Sequence, residues 1–382
     1  MPGSLVGVRI ADFSRVLAGP YATMLLGDLG AEVTKVERPG TGDDTRQWGP
    51  PYDAAGEATY FLGVNRNKAS VTIDLATAEG RAQARRLALA SDVLVENFKP
   101  GTMERMGLGF DDLRAEHPGL VFCSITGFGA GSGSDLPGYD LVLQAVGGLM
   151  SITGPAHGAP TKVGVALVDV IAGLHASLGI LAALRHRDRT GEGQRVDISL
   201  LSSLLSALTN QASGFVAAGV VPGILGNAHP SIAPYEVYDV ADGSFVIAVG
   251  TDRQFAGLCA VIERPELIED PRFATNTDRV RHRDELNREL SPVLGTRAGA
   301  QWFDALRAIG VPCGPINDLA GAFAFAEALG LEPVVEIDDP RRGEPARQVR
   351  NPVGLSATPP SYRRAPPRLG EDAAPSRPGS AG

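Results

Sequence analysis

The chain has 382 residues, 43% of them hydrophobic and 21% charged, a composition that supplies a large core and enough length for two domains, or for one carrying an insertion. A formal net charge of −9 excludes a field that would gather nucleic acid or an anionic membrane, so an anionic ligand must be held by local basic residues. Three scattered cysteines (Cys123, Cys259 and Cys313) without CxxC spacing exclude a disulfide framework and a recognisable zinc site, and Met1–Leu5 lacks the basic-then-apolar pattern of a leader, so a reduced cytoplasmic compartment is expected.

In chain order, Val8–Phe13 reads as a strand, and Gly19-Pro20 opens an apolar helix over Tyr21–Leu29, with proline tolerated in the first turn. Glu32–Val36 is the next strand, Gly80–Ala90 a helix, and Asp92–Glu96 and Gly119–Thr126 two further strands. This alternation predicts an α/β fold with a parallel, Rossmann-like sheet. The most apolar stretch, Val163–Leu184, contains Asp169 and His175 and reads as a buried strand and helix, not a membrane span. From Asp169 to Arg187, Val170, Ile171, Leu174, Leu178, Leu181 and Leu184 recur at helical spacing. Val196–Ser199 follows as a short strand, and Leu200–Ala218 as a buried helix.

The composition then shifts. Residues 221–234 are rich in glycine and proline and form a linker; Tyr235–Tyr238 and Phe245–Val249 flank Ala241-Asp242-Gly243 as a hairpin, and helical segments run to about Ile309. The expected organisation is a large domain over 1–220, a smaller α+β domain over 221–330, a return to the large domain over 331–370, and a disordered tail over 371–382, where proline, arginine, glycine and serine are dense.

Asp169 draws attention on physical grounds. It opens an apolar helix, where a carboxylate gains from the helix N-terminus, and helix capping is the favoured reading of that feature alone; a carboxylate nucleophile in an apolar setting is the second reading. Gly127–Gly133 is glycine-rich and follows a strand, but its spacing and Pro137 exclude a dinucleotide fingerprint, which leaves a surface loop or a loop over a site. Lys35–Arg38 closes a strand, with Arg46, Arg66 and Lys68 following; this basic set is either a phosphate-binding cluster or solvated surface charge. The six histidines, His229 among them, form neither a metal-ligand spacing nor a triad order.

Several segments taken together resemble the class III CoA-transferase family, also called CaiB/BaiF. They are Asp12–Tyr21 continuing through Leu26–Val33, Lys35–Pro39, Gly42–Arg46, Asn65–Lys68, Glu96–Gly101, Gly138-Tyr139-Asp140, and the Gly164–Gly173 segment carrying Asp169. The likeness runs from about residue 5 to about residue 370. It implies a Rossmann-like large domain with a smaller inserted domain, and a homodimer of interlocked chains. It implies that Asp169 is the nucleophile of an anhydride and aspartyl-CoA thioester route, which needs no metal and no permanently bound cofactor, coenzyme A thioester being the substrate. By the same resemblance Val16, Arg38, Asn97, Phe98 and Arg105 bind CoA, with Arg66 and Lys68 as weaker candidates, Tyr139 lies at the substrate, and Leu17 stands where some members place a site glutamine.

Two departures refine the expectation. α-Methylacyl-CoA racemases of this fold carry histidine in their version of the Gly138-Tyr139-Asp140 motif, and tyrosine is the poorer base near neutrality, which favours transfer over racemisation. Val249–Phe255 holds a single glycine where oxalate-using members close a run of glycines. Asn227–Tyr235 and Asp252–Phe255 look more like the succinyl-CoA:dicarboxylate branch, including its glutarate-using enzymes, with an arginine or the His229 loop available for the distal carboxylate. A non-catalytic CoA-binding protein is the alternative of another class, and the intact Asp169 speaks against it.

Overall fold

The computed structural model describes residues 3–341 and 343–373. Six strands, β1 (Arg9–Asp12), β2 (Glu32–Glu37), β3 (Lys68–Thr72), β4 (Val93–Glu96), β5 (Val121–Thr126) and β6 (Arg195–Ser199), form one parallel sheet in the order β3-β2-β1-β4-β5-β6. Alternate residues of the central strands feed two separate cores, as expected of a sheet covered on both faces. Ile10, Val93, Val95, Val121 and Cys123 pack on one side, with Ala11, Leu94 and Phe122 on the other. The first side is covered by α1 (Ala18–Asp28), and the second by α2 (Ala78–Leu89) through Ala84, Leu87 and Ala88. The chain leaves β1 toward β2 on one side of the sheet and takes up β4 on the other, so the carboxyl ends of β1 and β4 flank the crevice where open α/β sheets bind ligands.

After β5 come α3 (Asp140–Val146) and the 24-residue α4 (Leu167–Thr190). The expected strand before Asp169 is not formed: Val163–Ala166 is irregular, and the Val163 N–H donates to Gln144 Oε1 at 2.8 Å instead of to a neighbouring strand. By length and hydropathy α4 could cross a membrane. One face, with Val168, Ala172, Ala176, Ile180, Ala183 and Leu184, is buried in the sheet core, while Leu174 and Leu178, which the spacing placed in the same stripe, are exposed. The reason is that this helix is apolar on both sides, so periodicity alone does not select the inner one. The stretch expected to be one buried helix is two, α5 (Leu200–Ala207) and α6 (Thr209–Ala218), broken where Thr209 has φ +37°. No residue of α6 is buried, and its Phe215 and Val216 are exposed.

A second compact unit comprises Met150–Thr161 and Pro222–Leu331. The hairpin β7 (Tyr235–Val240) and β8 (Gly243–Ala248) is joined by β9 (Cys313–Pro315) in an antiparallel sheet. The helices α7 (Asp252–Val261), α8 (Arg283–Leu294) and α9 (Gly299–Ala308) close its core around Phe245, Phe255, Leu290 and Trp302. No change of composition marks Met150–Thr161, which is why the sequence boundaries leave it out; it closes on itself through the Thr161 N–H to Thr153 O bond at 2.8 Å.

From Glu332 the chain rejoins the first unit with the antiparallel pair β10 (Val334–Ile337) and β11 (Ala346–Val349), then a strap without regular structure. Buried Asp28 accepts from Arg66 at 2.9 and 2.7 Å, from Asn67 at 2.8 Å and from Asn351 at 3.0 Å, and Arg363 donates to the carbonyls of Gly27, Gly30 and Ala31. Glu371 and Asp372, assigned above to the disordered tail, are instead held: Asp372 accepts from Ser70 N–H at 2.9 Å and from Arg364 at 2.8 Å. The rest of that tail, 374–382, lies outside the described residues.

Candidate active site

The crevice at the carboxyl ends of the strands is real and lined. Arg15–Ala18 after β1, Asn97–Pro100 after β4, and Ile125 and Thr126 at the end of β5 with Gly127–Gly129 after it surround a cleft of about 250 Å³ that reaches Tyr139 and Asp169. The glycine-rich loop is therefore a wall of this cleft through Gly127, Phe128, Gly129 and Gly133. A second cleft of about 560 Å³ opens beside it, lined by Trp48, Tyr60, Leu141, Lys162 and Val165 among others. Four residues belong to both: Val16, Leu17, Tyr139 and Asp169.

Two close backbone approaches bring these pieces together. A Cβ on Gly138 would lie 2.6 Å from the Gly127 Cα, so this glycine pair lets the segment carrying Tyr139 and Asp140 lie against the end of β5. A Cβ on Gly173 would lie 2.7 Å from Ala18 O, so a glycine one turn after Asp169 lets α4 approach the start of α1.

Asp169 is not the cap of α4. Ala166 holds that position and Asp169 is the third helical residue. The cap is supplied from elsewhere: Asp140 Oδ1 accepts the Val168 N–H at 2.7 Å and the Asp169 N–H at 3.4 Å. Asp140 is itself oriented by Gln144, whose Nε2 donates to Oδ2 at 2.6 Å. The helix N-terminus thus stabilises the Asp140 charge, and the Asp169 carboxylate has no hydrogen bond or ion pair among the described residues. Burial, and then the neighbouring Asp140 charge, push the Asp169 carboxyl up to about 7. Tyr60 meets Trp48 edge to face with ring centroids 5.3 Å apart; burial and then the charges of Asp169, Asp140 and Asp43 raise its phenol to about 12, which keeps it a hydrogen-bond donor.

The residues expected to bind CoA divide. Asn97 clips the adjoining loop, its Oδ1 accepting the Arg15 N–H at 2.9 Å and its Nδ2 donating to Arg15 O at 2.7 Å, and the Arg15 guanidinium lies 5.1 Å from the centre of the Phe98 ring. Val16, Asn97, Phe98, Tyr139 and Asp169 are gathered at the first cleft. Arg38 and Arg105 are not: both are exposed and line neither cleft, and Arg105 donates to Thr102 within its own helical turn at 2.9 Å. The reading of Arg46, Arg66 and Lys68 as a phosphate cluster is overturned. Arg46 grips Glu37 with two bonds of 2.7 Å, Arg66 grips Asp28, and Lys68 is fully buried against Asp12, Asn65 and Pro20 O. Their partners are acids up to 56 residues away, which no local pattern announces. His229 sits in the second unit, where its Nδ1 accepts the Ser231 N–H at 3.1 Å and its ring packs on Tyr235.

The model of the CoA-transferase family III matches residues 5–373. The chain belongs to CoA-transferase family III. Among curated relatives, this family III member is 44% identical over 371 residues to the Mus musculus succinyl-CoA:glutarate CoA-transferase, covering 96% of this chain and 84% of that protein. It is 43% identical to the succinate–glutarate CoA-transferase of Agrobacterium fabrum (96% and 93%), and 38% identical to the succinyl-CoA:mesaconate CoA-transferase of Haloarcula hispanica (97% and 94%). Among solved structures, a CaiB/BaiF family protein from Brucella suis superposes with a TM-score of 0.85 at 40% identity over 97% of each chain. The clefts of this CoA-transferase are lined by residues that its sequence did not single out. Asp140 stood inside a quoted motif, but its hold on the Asp169 helix depends on a contact across 28 residues; Trp48, Tyr60 and Lys162 carried no local signal.

Proposed function

We propose that this CoA-transferase moves CoA from succinyl-CoA to a dicarboxylic acid of the glutarate type, with Asp169 as the nucleophile. The observation that carries the reading is a carboxylate without a partner, at the junction of two clefts, on the ligand-binding edge of the sheet. The names of the three relatives given above, each transferring between succinyl-CoA or succinate and another dicarboxylate, support the substrate class.

In the proposed route an Asp169 carboxylate oxygen attacks the thioester carbon; the C–S bond breaks and CoA leaves as the thiolate. The thiolate attacks the Asp169 acyl carbon of the resulting anhydride, releasing the donor acid and leaving an aspartyl-CoA thioester. The acceptor carboxylate attacks that thioester and expels the thiolate, which then takes the acceptor acyl group and restores the Asp169 carboxylate. The CoA arm lies along Asn97 and Phe98 in the first cleft, and the acids turn over in the second. There Tyr60 and Tyr139 flank them, and Lys162 is the one cationic side chain among the described lining residues, suited to the distal carboxylate. The Arg38 and Arg105 roles rest on family resemblance, and both residues stay accessible to the nucleotide end of CoA. The homodimer of interlocked chains is supported by resemblance and by exposed apolar side chains on the first unit, among them Leu174, Leu178, Phe215 and Val216. A cytoplasmic location belongs to the same reading.

The test is incubation with succinyl-CoA and a panel of glutarate, malate, oxalate and a chiral 2-methyl acid, read by mass spectrometry, with (R)-2-methylacyl-CoA in deuterated water alongside. Glutaryl-CoA without deuterium uptake is expected. Exchange at the α-carbon without CoA transfer would show a racemase instead.

A further inference from the structure

The loop from β1 to α1, which carries Val16 between the two clefts, is held at each of its residues. Ser14 donates through its N–H and Oγ to Asp12 Oδ1, the former at 3.0 Å, and its carbonyl accepts from Lys35 Nζ at 3.0 Å. Arg15 has both backbone groups taken by Asn97. Val16 N–H donates to Asp43 Oδ1 at 3.3 Å. Val16 has φ +70°, a left-handed conformation that a β-branched residue adopts only when its surroundings impose it.

The imposing group is built in. Asp43 is buried, its Oδ1 also accepts Thr45 N–H at 3.0 Å and Thr45 Oγ1 at 2.8 Å, and Lys35 Nζ lies 2.8 Å from its Oδ2. Burial would raise its carboxyl, but the Lys35 charge and these hydrogen bonds hold it down to about 2, so the acceptor stays ionised through the working range. Lys35 is fully buried and also faces Asp12, whose Oδ2 accepts from Thr23 and Lys68.

We propose that Asp43, supported by Lys35, is a positioning residue: it keeps Val16 in the left-handed conformation and so sets the wall that both clefts share beside Asp169. Without that clamp Val16 relaxes toward an extended or right-handed backbone, Leu17 and the start of α1 shift, and the thioester is misaligned with Asp169. Misplacement of this kind slows chemistry more than binding. The functional part of this inference rests on the proposed transfer reaction; the clamp itself does not.

A double-mutant cycle tests it, using succinyl-CoA and glutarate with the full chain. Asp43→Glu keeps a charge for Lys35 but moves the acceptor oxygen away from Val16, and Asp43→Ala, which removes the acceptor altogether, is made in parallel. In the wild-type background each is expected to lower kcat by about 100-fold with the KM for succinyl-CoA nearly unchanged. In a Val16→Gly background, where glycine takes positive φ without steric cost, the same substitutions should lower kcat by less than about threefold. Equal losses in both backgrounds would overturn the proposal, because Asp43 would then act independently of Val16. Hydrogen exchange over residues 13–17 supplies a readout free of turnover: Asp43→Glu should speed it, and unchanged exchange would overturn the clamp. Faster exchange in a protein whose wild type transfers no CoA would refute the reaction and leave the clamp standing.

Discussion

Two carboxylates beside the same cleft meet opposite fates. Asp43 is buried beneath the Val16 loop facing Lys35, and is held down to about 2. Asp169 is half-buried at the junction of the clefts facing Asp140, and is raised to about 7. Both experience desolvation that favours the neutral acid; the sign of the outcome is set by what each one faces. The contrast separates scaffold from chemistry. The first carboxylate is hydrogen-bonded through one oxygen and ion-paired through the other, and holds a loop in place. The second is left without a partner, which destabilises its charged form and, in the proposed route, suits it to act as the nucleophile.

The largest effect expected from breaking the contrast is at Asp169 itself. Asp169→Asn should lower transfer by about four orders of magnitude or more in the succinyl-CoA/glutarate assay, with CoA binding retained by calorimetry. The same variant should gain stability relative to wild type, more at pH 8 than at pH 5. A folded-state carboxyl raised above its unfolded value is ionised at a cost, so the native protein loses stability as pH rises from about 4 to about 7. Equal melting shifts at both pH values would contradict the raised carboxyl.

On the scaffold side, Lys35→Met should destabilise the fold by about 3–5 kcal/mol in denaturant titration, because Asp43 and Asp12 would be left buried with less compensation. A loss below about 1 kcal/mol would mean that the network contributes little. A smaller effect is predicted at Asp140. The pH profile of kcat/KM should rise with an apparent pKa near 7, and Asp140→Asn, which keeps an oxygen for the α4 amides while removing the charge, should move that limb to lower pH. An unmoved limb would assign the titration to another group. The smallest is at Lys162: Lys162→Gln should raise the KM for glutarate by about tenfold and leave a monocarboxylate acceptor unaffected.

Much of this contrast was legible in the sequence, but unevenly. The alternation that builds β1, β2, β4, β5 and α1 is local, since each of these strands shows its own apolar run, and their expected boundaries lie close to those observed; β3 (Lys68–Thr72), where Lys68 opens the strand, is not among the expected strands. Asp169 was found because a lone carboxylate interrupts an apolar stretch. What remained hidden depends on partners distant in the chain. Nothing near Lys68 announces Asp12, and nothing near Asp169 announces that Asp140 takes its helix amides, so the sequence leaves Lys68 open between a phosphate ligand and solvated charge, and the local pattern at Asp169 favours a cap until the family resemblance makes it a nucleophile. The misassigned faces have another cause. α4 and α6 carry apolar residues on exposed surfaces, and a hydrophobic period cannot distinguish a buried face from an exposed apolar one.

The central claim is that CoA passes through a covalent bond to Asp169. The most direct measurement is to mix the enzyme with succinyl-CoA alone, quench with hydroxylamine, digest, and sequence the peptide spanning Val163–Arg185 by mass spectrometry. The account predicts a hydroxamate on Asp169, absent without succinyl-CoA. Catalytic formation of glutaryl-CoA by a protein whose Asp169 stays unmodified under the same quench would contradict it.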